Sequence, residues 1–341
     1  MLSSMNDICN LVNIDSDSKA ILIGRNFEVD GFCKRNIRII THAHADHVIG
    51  LNKSIMYSKH IVSTPATYEL VSELGYVNNS LKPVYRAKSI LLDYFNRIDF
   101  DGEILEFYPV EHIIGSTQVR VLTDNYVIGY TSDFKLTKNT FIMKDLDVLI
   151  IEATYGDPVW RRPFKNDVIE YAIDILNEGL KKYGRVVVYG YYGKLQEFMK
   201  IIRDRGIDTP FLMNDKIYSI TRIVEKYGWR IGNFYRLTFN TKHFDKYIVF
   251  EHMNKAKYRR IEGSVMNFVL TGREFEEPVR KIDEYTWLIA LSDHADFDEL
   301  INYVEISQPK LVIIDNSRDG YPYSLARELE KRGWKAIVMP P

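Results

Sequence analysis

Thr41-His42-Ala43-His44-Ala45-Asp46-His47 gathers three of the chain's 8 histidines beside an aspartate. Composition alone places His-x-His-x-Asp-His in such a chain roughly once in a few thousand sequences. Imidazole and carboxylate together are the ligand set of zinc and its borderline neighbours. Just upstream, Ile37-Arg38-Ile39-Ile40 reads as an apolar strand. In the extended backbone that leaves it, a period of two keeps His42 and His44 on one side, while Asp46 and His47 reach a second centre. One short loop thus seeds two metal sites.

Outward from this loop, the N-terminal part alternates short β-branched runs with turns. Ala20-Ile21-Leu22-Ile23 and Ile104-Leu105-Glu106-Phe107-Tyr108 read as strands. Residues 118–133 read as a hairpin around an Asp124-Asn125 turn, with Val127-Ile128-Gly129-Tyr130 as the return strand. Thr64 and Pro65 supply an N-cap and an N1 proline for a helix over 64–76. From 168 the rhythm changes. Helices over 168–183, 195–203 and 217–227 alternate with the apolar runs Val186-Val187-Val188 and Phe211-Leu212-Met213, which predicts a parallel, helix-covered sheet. The βα rhythm returns at the end, with strands over 287–291, 311–314 and 336–338 separated by helices over 296–304 and 323–332. The expected class is α/β, and 341 residues at about 150 per domain predict about two lobes.

Composition narrows the class further. Apolar residues make up 46% and charged residues 27%, as expected of an ordinary folded chain. Lys+Arg total 45 against 46 for Asp+Glu, so the formal net charge of -1 excludes a histone-like blanket of positive charge. No apolar run approaches the roughly 18 residues of a membrane helix. The first residues, MLSSMNDICNLVNIDSDSKA, carry acids and lack a basic-then-apolar signal pattern. Cys9 and Cys33 cannot build a disulfide framework, so a reducing cytoplasm is the expected compartment.

The His42-x-His44-x-Asp46-His47 loop resembles that of the metallo-β-lactamase superfamily. The later motifs resemble it too. Glu111-His112-Ile113-Ile114-Gly115-Ser116 looks like the family's single-histidine motif, Ser132-Asp133-Phe134-Lys135 like its bridging-aspartate motif, and Asp30 like the buried aspartate that braces the histidine loop. Glu152-Ala153-Thr154-Tyr155-Gly156 resembles the acidic motif that opens a β-CASP insertion, and Ser292-Asp293-His294-Ala295-Asp296 that group's second histidine motif. The likeness is nearest to ligase-associated DNA exonucleases and their archaeal relatives, through 152–163 (EATYGDPVWRRP), Tyr192-Gly193-Lys194-Leu195-Gln196 and 291–296 (LSDHAD).

The resemblance implies a metallo-β-lactamase αββα sandwich, residues 1–155 and 286–341, carrying an inserted β-CASP α/β domain, residues 156–285. It implies a nuclease, with His42, His44 and His112 on a first ion, Asp46 and His47 on a second, and Asp133 between them. Two ions about 3.5–4 Å apart activate a bridging water and neutralise charge on the transferring phosphate. Zinc is the expected metal and manganese the alternative. Asp46, Glu152 and His294 count as catalytic, with His294 a general acid oriented by Glu152. One departure stands out: where RNA-processing members carry a further metal-binding histidine, this chain has Asn316, preceded by Asp315. Asparagine is a poor zinc ligand, so the second site is expected to be weak unless Asp315 substitutes. DNA-repair members also lack that histidine, which tilts the expected substrate towards DNA.

Nucleic acid is the expected partner, with association to a DNA ligase or helicase implied by the same likeness. Arg161, Arg162 and Lys165 beside Trp160 and Phe164 suit phosphate contact and base stacking. Lys194, beside Gly193 at a strand-to-helix turn, is a further candidate for phosphate. Two alternatives stay open: an RNA-processing exo- or endonuclease of the same fold, and a nucleic-acid-binding relative with little turnover.

Overall fold

The computed structural model describes residues 11–165, 167–238, 244–258 and 265–341. Cys9 and the first half of the segment scanned for a signal pattern lie outside the described residues. Two compact units emerge. One runs through Arg161 and resumes at His294, and the other is Arg162–Asp293.

The first unit is built on two sheets. One orders Val12–Ile14, Ile21–Ile23, Phe27–Val29, Ile37–Ile39, His60–Ser63 and Ser89–Leu91 in chain order, with parallel pairing from Phe27–Val29 onward. The other runs Ala336–Met339, Leu311–Asp315, Val148–Ile151, Val127–Tyr130, Thr117–Leu122, Glu103–Pro109 and Arg97–Phe100, parallel as far as Val127–Tyr130 and antiparallel beyond it. The strand period of two explains how the layers form. Val148, Ile150 and Ile313 point into a core shared with Ile21, Phe27 and Ile39 of the first sheet. Their neighbours Leu149, Ile151, Val312 and Ile314 point the other way, against Phe297, Leu300, Val304, Leu325 and Leu329 of the helices Phe297–Ser307 and Pro322–Lys331. Strands buried on both faces read as continuous apolar runs, and each such side chain contributes about 1.5–3 kcal/mol on burial. Helices Leu51–Tyr57 and Lys82–Lys88 lie against His60–Ser63 on the outer side of the first sheet. The layers are helix, sheet, sheet, helix.

The second unit has its own sheet: Phe234–Arg236, Phe211–Met213, Tyr247–His252, Arg185–Gly190, Met266–Leu270 and Thr286–Ile289 in parallel, with Val279–Lys281 antiparallel at the edge. Helices Val168–Tyr183, Lys194–Asp204 and Asp215–Lys226 connect them as βα units. Here the sequence-based boundary is corrected. Residues from 286 were expected to rejoin the first lobe, yet Thr286–Ile289 pairs with Met266–Leu270 and completes the second sheet. The chain returns at His294, and residues 156–161 stay with the first unit. Among the described residues, no helix is long and apolar enough to cross a membrane.

The loops that matter chemically leave the C-terminal ends of Ile37–Ile39, Glu103–Pro109, Val127–Tyr130 and Val148–Ile151, where side chains from separate strands converge. The loop carrying His112 is tied down by the next helix. Thr64 caps Pro65–Leu74 by accepting from Thr67 N at 3.2 Å, and both threonine hydroxyls donate to Gly115 O, at 2.7 and 2.9 Å. Gly115 sits at φ +86°, and a Cβ there would meet Thr67 N at 2.8 Å and Ala66 Cβ at 2.9 Å. Gly115→Ala is therefore expected to cost about 2–4 kcal/mol, from the left-handed backbone and the clash together. Thermal or denaturant unfolding reads this directly, and an unchanged midpoint would contradict the packing described.

Candidate metal centre

The histidine loop is held from behind by one carboxylate. Asp30, fully buried at φ +56°, accepts from Thr41 N at 2.8 Å, from Thr41 Oγ1 at 2.6 Å and from His47 Nδ1 at 2.8 Å. A non-glycine residue in the left-handed region costs of order 1–3 kcal/mol and persists where surrounding bonds over-determine it. Arg38, on strand Ile37–Ile39, adds a second tie by donating from Nη2 to His47 O at 3.0 Å and from Nη1 to Gly31 O. Burial lowers its pKa to about 10, against the pull of Asp30 and Glu28, and it remains a cation.

In front of this brace the predicted ligands converge. His44 Nδ1 lies 3.2 Å from His42 Nε2 and 3.0 Å from His112 Nε2. Asp133 Oδ2 lies 3.1 Å from His47 Nε2, 3.8 Å from His42 Nε2 and 4.0 Å from His112 Nε2. Among the described residues, His42 with His44 and His112, His42 with His47 and Asp133, and His112 with Asp133 and His294 each place their ligand atoms within 4.8 Å of one another. The donor set fits a divalent ion. Each neutral ring has one N–H to offer, so hydrogen bonds between rings satisfy only some of these facing nitrogens, whereas a shared cation engages all their lone pairs at once. Burial, then the neighbouring His47, His112 and His44, pushes His42 well below the ordinary histidine value, so it is neutral, the form that binds metal. Asp133 presents its carboxylate between the first three imidazoles and His47, and its preceding residue, Ser132, is again left-handed at φ +58°. Burial disfavours the charge on Asp133, but His47, His294 and His42 outweigh it and hold the pKa well below the carboxylate range.

Glu152, at the end of strand Val148–Ile151, links two of these pieces. Its Oε1 accepts from Phe134 N at 2.8 Å, which pins the Asp133 loop, and its Oε2 lies 3.1 Å from His294 Nδ1. The His294 ring stands 4.9 Å from that of His112 and is 23% exposed, so it reaches both the cluster and solvent. Helix Phe297–Ser307 begins just after it, with Asp296 as N-cap in a capping box with Glu299.

On the second-ion side the arrangement differs from expectation. Asp46 Oδ2 is 3.4 Å from His47 Nε2, yet Asp46 belongs to none of the three clusters. Asn316 turns away, donating from Nδ2 to Pro340 O at 2.9 Å. Asp315 does not substitute for the absent histidine. Its Oδ1 accepts from Ser317 N and Oγ at 2.7 and 2.6 Å, and its Oδ2 from Arg318 Nη1 at 2.9 Å. Arg318 itself, with Nε 3.9 Å from Asp46 Oδ2, is a residue that the sequence reading missed. Only its place, three residues beyond a buried strand-end aspartate, signalled it.

The proposed substrate contacts fare unevenly. Arg161 is exposed, paired with Asp298 at 2.9 Å and set over the Phe297 ring. Arg162 is 5% exposed, donates to Gly272 O and stacks 4.0 Å over Phe275, so its charge is spent on packing the second unit. Lys194 is 6% exposed and paired with Asp293 at 2.6 Å, and Gly193 N donates to Gln196 Oε1 at 2.8 Å, so that turn is likewise internally satisfied.

Comparison with known proteins adds an independent line. No family model matches the chain. A 138-residue stretch is 41% identical to an uncharacterized protein in the lig 3' region of Acidianus ambivalens, over 40% of this chain and 98% of that one. An RNase J-like protein of Methanocaldococcus jannaschii is 24% identical over 89% of this chain and 85% of its own length. DNA cross-link repair protein SNM1 of Arabidopsis thaliana is 24% identical over 88% of this chain and 66% of its own. With these likenesses spanning a helix-sheet-sheet-helix unit that carries a histidine-aspartate cluster, the chain belongs to the β-CASP group of the metallo-β-lactamase superfamily.

Proposed function

We propose that the chain is a metal-dependent nuclease that hydrolyses phosphodiester bonds, acting on DNA as an exonuclease. The observation that carries this is the convergence of His42, His44 and His112 on Asp133, with His294 and Glu152 alongside. His42, His44 and His112 hold the first ion, Asp133 faces it, and Asp46 and His47 form the side towards a second. Zinc suits this imidazole-rich set best. A bound divalent ion lowers the pKa of water and offsets charge on the transferring phosphate.

The protein's own groups do the rest. Asp30 and Arg38 hold the histidine loop so that the imidazoles need not reorganise when substrate arrives. Glu152 accepts a hydrogen bond from His294 Nδ1–H and so favours the imidazolium, whose Nε2–H is the proton given to the leaving oxygen. Arg161, exposed beside Phe297, and the exposed Lys165 are the candidates of the basic cluster for a phosphate contact. Asn316, turned away from the site, supports DNA over RNA, as do the repair role in the SNM1 relative's name and the ligase-region relative. The ligase-region likeness also supports association with a DNA ligase. The RNase J-like relative favours a second reading, an RNA nuclease of the same fold.

Three outcomes test the proposal. With zinc or manganese added, the purified chain is expected to degrade a labelled DNA strand, and His42→Ala and Asp133→Ala to abolish this; variants that cut at the wild-type rate would remove the assignment. His294→Ala is expected to lower turnover about 10²–10⁴-fold, the usual worth of a positioned acid, while bound metal stays unchanged by mass spectrometry. A rate within twofold of wild type would take the acid role from His294. Matched DNA and RNA oligonucleotides assayed side by side are expected to favour DNA by at least tenfold, and the reverse preference would establish the RNA reading.

A further inference from the structure

Arg318 has no role in any motif, yet it is among the most confined charges of the first unit. Its side chain is 10% exposed. Nη1 donates to Asp315 Oδ2 at 2.9 Å and to Ser317 Oγ at 3.2 Å, which fixes the guanidinium against the strand end. Nε lies 3.9 Å from Asp46 Oδ2, too far for a hydrogen bond, and both Nε and Nη2 are buried without a hydrogen-bond partner among the described residues. Buried donors left unpaired are costly, and their persistence calls for a group that completes them. Burial opposes the charge, but Tyr130, Asp315, Asp30 and Asp133 outweigh it and keep Arg318 a cation.

This is the region where Asp46 and His47 would grip a second ion. The residues next in line to complete such a site are otherwise occupied, Asp315 by Arg318 and Ser317, and Asn316 by Pro340. A fixed guanidinium beside Asp46 offsets that carboxylate's charge and repels an incoming divalent cation.

We infer that Arg318 stands in for the second ion: the centre holds one divalent ion, at His42, His44, His112 and Asp133, and the buried guanidinium beside Asp46 supplies the other positive charge. The inference rests on the metal-nuclease reading above and replaces its weak second site with a side chain.

The test is the zinc count of the full chain, stripped, reloaded with excess Zn²⁺, dialysed and measured by mass spectrometry. Wild type is expected to retain one zinc per chain. Arg318→Gln, which keeps a donor for Asp315 but no charge, is expected to retain two, and Arg318→Lys to stay at one. Calorimetric Zn²⁺ titration of Arg318→Gln is expected to show a second event at least tenfold tighter than any in wild type. Two zincs in wild type would overturn the inference and leave the nuclease reading standing, as would a count of one in an Arg318→Gln protein with a normal unfolding transition. No zinc in wild type would overturn both. If Arg318→Gln does not fold, the wild-type count decides alone.

Discussion

The constraint on which the first unit turns is the crowding of His42, His44, His47 and His112, whose rings stand 3.9–4.8 Å apart around His42 and His44 in a largely buried pocket. Imidazole-to-imidazole hydrogen bonds satisfy only part of such a cluster, because each neutral ring carries a single N–H. The fold answers with carboxylates on both sides, Asp30 behind and Asp133 in front of His47. Burial pushes His47 down, but Asp133, Asp30 and Asp46 outweigh it and hold its pKa well above the ordinary value.

Everything that holds this crowd in place comes from strand ends. Two sheets facing one another bring separate crossovers to a common edge, and each contributes one or two groups: the loop after Ile37–Ile39, the turn after Glu103–Pro109, the bend after Val127–Tyr130 and the acid after Val148–Ile151. The left-handed residues Asp30 and Ser132 sit where the backbone must turn sharply to aim a neighbouring side chain. Local strain of this kind is tolerated because buried hydrogen bonds compensate it, as at Asp30 and Thr41.

Much of this was legible in the sequence, and for a definite reason. A metal site writes its requirements as residue types at short spacings, so His42-x-His44-x-Asp46-His47 is conspicuous, and His112, Asp133, Glu152 and His294 follow it at predicted strand ends. The strands Val148–Ile151, Arg185–Gly190 and Leu311–Asp315 were legible as unbroken apolar runs. What a pattern cannot carry is which partner a side chain or strand selects. Arg162 and Lys194 looked like phosphate contacts because a sequence displays charge but hides burial, and in the fold both are buried, Arg162 donating to Gly272 O and Lys194 paired with Asp293. Thr286–Ile289 was assigned to the first lobe because its partner Met266–Leu270 was not recognised as a strand. Arg318 was overlooked because a lone arginine in a turn is ordinary until the buried Asp315 is seen to hold it beside Asp46.

The central claim is that imidazoles from distant stretches share one ion. The most direct measurement is an anomalous difference map collected at the zinc edge from crystals of the metal-loaded chain. The account predicts a strong peak about 2.0–2.1 Å from His42 Nε2, His44 Nδ1 and His112 Nε2. A map without a peak there, or with the three rings turned apart around ordered water, would contradict it.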